Sequence, residues 1–138
     1  MPLSYDDYVI CNEDFENYII NDKILGFKMK IRINSYRGNY LSCIENLSIK
    51  VDGEPINKEH IIFCINGKRF CLHQLPELYS EYWFVLDKAE LIIYKNNGLE
   101  IGEHEVEVTL AQRFAYSSYF GKYKTHSSTT RKKLLIKQ

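Results

Sequence analysis

The chain is 138 residues long and carries 18 Lys and Arg against 18 Asp and Glu, a formal net charge of zero. A chain of that length forms one domain, residues 1–138, and buries roughly two thirds of its unfolded surface without covalent staples. The charge balance speaks against a general nucleic-acid binder, and the absence of a CxxC pair among Cys11, Cys43, Cys64 and Cys71 speaks against a zinc site or disulfide framework, leaving buried free thiols.

No Lys or Arg precedes Lys23, so the basic head of a signal peptide is missing, and no apolar run approaches the roughly 20 residues of a membrane helix. A soluble cytoplasmic protein is expected. Residues 18–20 and 25–33 flank Asn21-Asp22-Lys23 and predict a first hairpin. Phe27, Met29, Ile31 and Ile33 alternate with Lys28, Lys30 and Arg32, the period of a strand with one dry and one wet face. Tyr36-Arg37-Gly38-Asn39-Tyr40 follows, too aromatic for an ordinary solvated loop and too polar for a core. It is expected to face something.

Leu47, Ile49 and Val51 repeat the alternation and run into Asp52-Gly53, whose residues favour a tight primed turn. Residues 61–65 and 68–72, joined by Asn66-Gly67, give the strongest hairpin signal of the chain. Residues 74–80 contain Pro76 and read as a connection with room for one helical turn. Residues 82–86 and 89–94 read as strands, the second rich in β-branched side chains and closed by Asn96-Asn97-Gly98. Tyr82, Trp83 and Phe84 put three rings in a row, so at least one must face outward. Core packing is the commoner use of a sandwich Trp, and a sugar-stacking platform is the alternative.

Val106, Val108 and Leu110 alternate with Glu105, Glu107 and Thr109, and residues 134–136 close the set. Beyond Glu107 no acidic residue occurs, while Arg113, Lys122, Lys124, Arg131, Lys132, Lys133 and Lys137 do, with Phe114, Tyr116, Tyr119, Phe120 and Tyr123 interleaved. Without an RNA-binding or helix-turn-helix pattern, this reads as a polar strand pair or an edge that meets an acidic partner. No segment sustains a helical apolar period. About eight short strands between turn signals predict an all-β fold, an antiparallel β-sandwich with little helix.

His60, His73, His104 and His126 are scattered. His104 shares parity with Val106 and Val108, which predicts a core or interface histidine; a metal held at His104 is the weaker reading. No Ser-His-Asp arrangement or phosphate-binding loop occurs. No catalytic or metal-binding residue is therefore expected on this chain, which does not read as a self-sufficient enzyme. Eleven tyrosines tilt the Tyr36-Arg37-Gly38 segment toward a protein interface, where Tyr and Arg are enriched.

Three stretches then resemble one family. Residues 35–54, with Tyr36-Arg37-Gly38, Leu41-Ser42, Ile44-Glu45 and Val51-Asp52-Gly53-Glu54, are followed by Trp83-Phe84 before Lys88-Ala89, and by Gly98-Leu99 with Gly102-Glu103-His104-Glu105-Val106. In that order they resemble the small (beta) subunit of bacterial C-glycoside deglycosidases. One departure is Ser118-Tyr119-Phe120, where the family often has Ser-Tyr-Met.

The resemblance implies a subunit of a heteromeric carbon–carbon lyase that is inactive alone. It implies a larger alpha subunit similar to TIM-barrel sugar isomerases, bearing a divalent metal, manganese, and a histidine base. The implied substrate is a C-glucosylated flavonoid or phenol in its 3-oxo form. Substrate or partner contacts are expected at Tyr36, Arg37, Tyr40, Trp83, Tyr119 and Phe120, with neither nucleic acid nor membrane as a partner. The rival expectation is a free-standing carbohydrate-binding module built on Trp83.

Overall fold

The computed structural model describes residues 9–35, 38–117 and 122–137, with 114–117 and 122–124 described as backbone only. Alternation and turn chemistry produce eleven strands among them. In chain order these are β1 (Glu16–Ile20), β2 (Lys23–Ile31), β3 (Asn39–Tyr40), β4 (Ile44–Val51), β5 (Glu54–Pro55) and β6 (Ile61–Ile65). They continue as β7 (Lys68–Cys71), β8 (Tyr82–Trp83), β9 (Ala89–Tyr94), β10 (Gly102–Ser117) and β11 (Lys122–Ile136). Short 3-10 turns occur at Leu41–Cys43, Lys58–His60 and Leu72–Glu77, the last being the helical turn expected near Pro76. No helix among the described residues is long and apolar enough to cross a membrane.

The strands form two main antiparallel sheets, ordered β1-β2-β9-β6-β7 and β11-β10-β4-β5, with β3 and β8 as a separate small ladder. Three hairpin turns among the described residues are set by residues that tolerate positive φ: Asn21-Asp22 at 52° and 65°, Asp52-Gly53 at 52° and 84°, and Asn66-Gly67 at 55° and 74°. The first turn has two residues rather than three, because Lys23 already pairs with Ile20. Register follows from these turns, and one face of each sheet closes on the other.

Phe27, Met29 and Ile31 of β2, Phe63 of β6 and Leu91 and Ile93 of β9 share one buried cluster with Leu47, Ile49 and Val51 of β4 and Val106, Val108 and Leu110 of β10. Burial of each such side chain contributes about 1.5–3 kcal/mol. The fold is the expected all-β sandwich, with more strands than the eight or so expected, the two-residue β3 and β5 among the additions. The expected strand over 82–86 stops at Trp83, where Asp87 N–H turns back onto the Phe84 carbonyl at 3.0 Å. The last two strands are longer than expected, pairing from Gly102↔Ile136 to Ser117↔Lys122 as an extended hairpin arm.

The sandwich has two distinct ends. At the turn end lie Asn21-Asp22, Asp52-Gly53, Asn97 and His104, and Asp52 and His104, with Ile24, Leu25 and Glu100, border an open cleft of about 970 Å³. At the other end β2 gives way to Asn34, β3 and β8 pair, and β10 and β11 leave the sandwich as the arm.

Candidate functional site

The end that carries the arm also gathers rings. In the β3–β8 ladder Asn39 pairs with Trp83 and Tyr40 with Tyr82; Leu41 N–H then donates to the Glu81 carbonyl at 2.9 Å. Strand alternation sends Trp83 inward and its neighbours outward. Trp83 is 0% exposed, meets Phe63 edge-on at 5.4 Å, and donates its indole N–H to the Asp87 carbonyl at 2.9 Å. Its expected role as a substrate or partner contact is therefore corrected: a ring without exposed surface is neither a sugar platform nor an interface contact. The core reading holds.

On the outward side Tyr40 and Tyr82 meet at 5.0 Å and 85°, and Tyr82 and Phe84 at 4.8 Å and 60°. These are edge-to-face contacts, worth about 0.5–1.5 kcal/mol each beyond their burial. Phe84 is still 57% exposed and Tyr40 47%, and Tyr79 and Leu86 are more exposed again. Gly38 permits this approach, since a Cβ there would lie 2.4 Å from the Trp83 carbonyl oxygen and 2.6 Å from the Tyr82 ring. Asn66 Nδ2 donates to the Tyr82 carbonyl at 3.1 Å, and Lys68 pairs with Glu81 at 2.7 Å, bracing the ladder from the β6–β7 turn.

Beneath the ladder the core turns polar. Asn34 Nδ2 donates to the Leu110 carbonyl at 3.0 Å and to Ser128 Oγ at 2.8 Å, and Gln112 Nε2 donates to Asn34 Oδ1. Asn39 Nδ2 donates to Gln112 Oε1 at 3.1 Å and to the Arg113 carbonyl at 3.0 Å, while the Arg113 guanidinium reaches the Ser42 carbonyl at 3.2 Å. Asn34, Gln112 and Ser128 are buried.

Of the six residues expected at a site, the structure places Tyr40 in this surface and Trp83 directly beneath it. Tyr36, Arg37, Tyr119 and Phe120 lie outside the described residues. The sequence reading missed Tyr82 and Phe84 as site residues, although three consecutive rings in a strand required outward ones. It also missed Asn34, Gln112 and Ser128. Gln112 signals itself as the polar residue that continues the inward series Val106, Val108, Leu110.

The turn end is built differently. His104 Nδ1 lies 2.7 Å from Asp52 Oδ2 and Nε2 lies 2.7 Å from the Glu100 carbonyl; Asp52 Oδ1 accepts the Glu105 N–H at 2.9 Å. Burial alone pulls the His104 pKa down, but the Asp52 hydrogen bond and the Glu100 carbonyl outweigh it and leave the value raised. The His104 bond and the Glu105 N–H hold the Asp52 carboxyl below its ordinary value. His104 thus fastens a turn to a loop, half-buried at the end of the sandwich and not in its core. Ile19, Ile20, Ile24 and Leu25 are each more than a third exposed on the β1–β2 hairpin nearby.

Among the described residues no group of three or more His, Cys, Asp or Glu side chains could hold a metal ion. Cys11 is buried, and burial raises its thiol pKa despite four cations around it. Cys64 is raised by burial too, but it, Cys43 and Cys71 are only half-buried, less enclosed than expected.

Fold and surface together define an all-β sandwich that presents rings on a rigid ladder at one end. A family model for the C-glycoside deglycosidase beta subunit matches residues 5–116. The chain belongs to that family. It is 31% identical over 127 residues to the 3'-dehydrocarminate deglycosidase beta subunit of a Microbacterium species, covering 89% of this chain and 96% of the relative. It is 28% identical over 106 residues to a C-glycoside deglycosidase beta subunit of Arthrobacter globiformis, covering 76% and 80%. A beta subunit of Eubacterium cellulosolvens is 31% identical over 87 residues, covering 63% and 59%.

Proposed function

We propose that this chain is the accessory subunit of a C-glycoside-cleaving lyase and docks on a barrel-type alpha subunit through the Tyr40–Tyr82–Phe84 end. The observation that carries the reading is the family match over residues 5–116 together with the exposed ring ladder inside that span. Rings of this kind are the residue types that anchor protein interfaces. Docked there, the sandwich covers apolar surface of the partner and helps form the mouth of its pocket.

The proposed substrate is a 3-oxo C-glucoside of a flavonoid or related phenol. The name of the Microbacterium relative, a 3'-dehydro compound deglycosidase, supports an oxidised sugar. A ketone at C3 acidifies the C2 proton. A base removes that proton, the bond from C1 to the aryl carbon breaks, and the aryl carbon takes up a proton, so no water is consumed. The base and a divalent metal, manganese, are placed on the alpha subunit, where the metal would stabilise the negative charge that develops on the sugar oxygens. The described residues of this chain supply no ligand cluster for it, and no step is assigned to them.

Purifying the chain alone and together with the alpha subunit from its own source tests the reading. The expected result is a stable complex that cleaves a 3-oxo C-glucoside, and an isolated chain that does not. Cleavage by the isolated chain, or failure to bind the alpha subunit, would overturn it.

A further inference from the structure

Two segments of the ring-bearing end come from distant parts of the chain: Asn34 with β3, and the arm made by β10 and β11. Between them runs one chain of amides. Asn34 faces the Leu110 carbonyl and Asn39 the Arg113 carbonyl, at 3.0 Å each. A carbonyl only accepts, so both contacts fix the NH2 side of each amide. Asn34 is left with an oxygen toward Gln112, and Asn39 with an NH2 toward it. Gln112, 0% exposed, therefore has one orientation only: Nε2 donates to Asn34 Oδ1 and Oε1 accepts from Asn39 Nδ2 at 3.1 Å.

Gln112 also sits where the β4–β10 register shifts, between Ala111↔Asn46 and Gln112↔Ile44. A bulge at that point frees β10 from its neighbour and lets the arm depart. Ser128 ties the opposite strand of the arm to the same amide, at 2.8 Å from Asn34. A polar chain satisfied in one direction only rigidifies what it joins, because any partial rearrangement leaves a buried group unpaired.

We infer that Gln112 is a positioning residue which, through Asn34 and Asn39, locks the ring-bearing β3 and the arm into a single docking unit for the alpha subunit. This rests on the proposed docking end. Asn39 Oδ1 meanwhile accepts the Tyr40 N–H at 2.9 Å, so the lock ends at the backbone of an exposed ring.

Asn39→Asp is the sharpest test: it keeps the acceptor for Tyr40 N–H and removes the donor to Gln112 and Arg113, with almost no change of volume. Gln112→Leu breaks the centre of the chain, and His104→Asn at the turn end serves as the control. Hydrogen exchange on the full chain is expected to quicken at the Leu41 amide and in the arm together for both amide variants. Affinity for the alpha subunit is expected to fall at least about ten-fold, near 1.4 kcal/mol, while the control loses melting temperature without losing affinity. If the Leu41 amide stays protected while the arm loosens, or affinity falls no more than in the control, the inference is overturned. Phe84→Ala separates the two claims: unchanged affinity in that variant refutes the docking end itself, and exchange on the isolated chain still decides the coupling.

Discussion

The two ends of this sandwich treat their polar groups in opposite ways. At the turn end they fasten loops and turns to one another: Asn17 exchanges two hydrogen bonds with the Leu99 backbone, at 2.9 and 2.8 Å, and His104 spans the Asp52 carboxylate and the Glu100 carbonyl. At the ring-bearing end the amides turn inward, under a ladder whose rings remain outside. Closure of the turns stabilises one end; the other is stiffened from below and left open above. The difference shows that rigidity and exposure are compatible in one element when the stiffening groups and the exposed groups lie on opposite faces.

Trp83→Ala tests that arrangement most severely. Removing a fully buried indole from under the ladder should cost about 3–5 kcal/mol, read as a shift in the denaturant midpoint. A cost typical of a surface site would mean that the ladder does not rest on the core. Gly38→Ala comes next, since its Cβ would press on the Trp83 carbonyl. Overpacking of this kind costs about 1–3 kcal/mol, and the variant should also bind the alpha subunit more weakly.

Phe84→Ala should cost no more stability than its ring contact with Tyr82, about 0.5–1.5 kcal/mol, and weaken partner binding by more than about 1 kcal/mol, measured by calorimetric titration. Ile20→Lys, which alters the exposed aliphatics of the other end, should leave binding intact. The reverse pattern would exchange the roles of the two ends.

The smallest effect is a pH dependence confined to the turn end. Both ring nitrogens of His104 face acceptors, so the pair is complete only when the imidazole is doubly protonated. The His104 pKa is raised, hence its contribution is full below the unfolded value of about 6.5 and is lost as pH rises through the folded value. The Asp52 pKa is lowered, hence its contribution is present above about 3.9 and is lost as pH falls through the folded value. Between those limits His104→Ala should lose about 1 kcal/mol and above them less, as read from denaturant unfolding across pH. A His104→Ala deficit unchanged into alkaline pH would show that the pair acts by packing alone.

Much of the turn end is legible in the sequence, because Asp52-Gly53 and the alternation of Phe27, Met29 and Ile31 are local signals. The ring-bearing end is only half legible. Three adjacent rings foretell that Trp83 and its neighbours part company, but not that Tyr40 is the one to meet Tyr82, since that pairing joins residues 42 positions apart. The length of β11 is hidden for another reason. Thr125, Ser127 and Thr129 are hydroxyl residues on the solvent side and Ser128 is buried by the amides, so no apolar alternation marks the strand. Asn34, Gln112 and Ser128 become a set only once the two sheets have closed.

The inward indole and the outward rings lie on or beside one short ladder, and this has a consequence for how such a chain can change over time. Swapping an outward ring for another side chain leaves the indole's packing alone, so the proposed docking surface can be retuned by single substitutions without a fresh search for a fold. Divergence toward new partners should therefore be concentrated at positions 40, 82 and 84, while position 83 and its supporting glycine hold still.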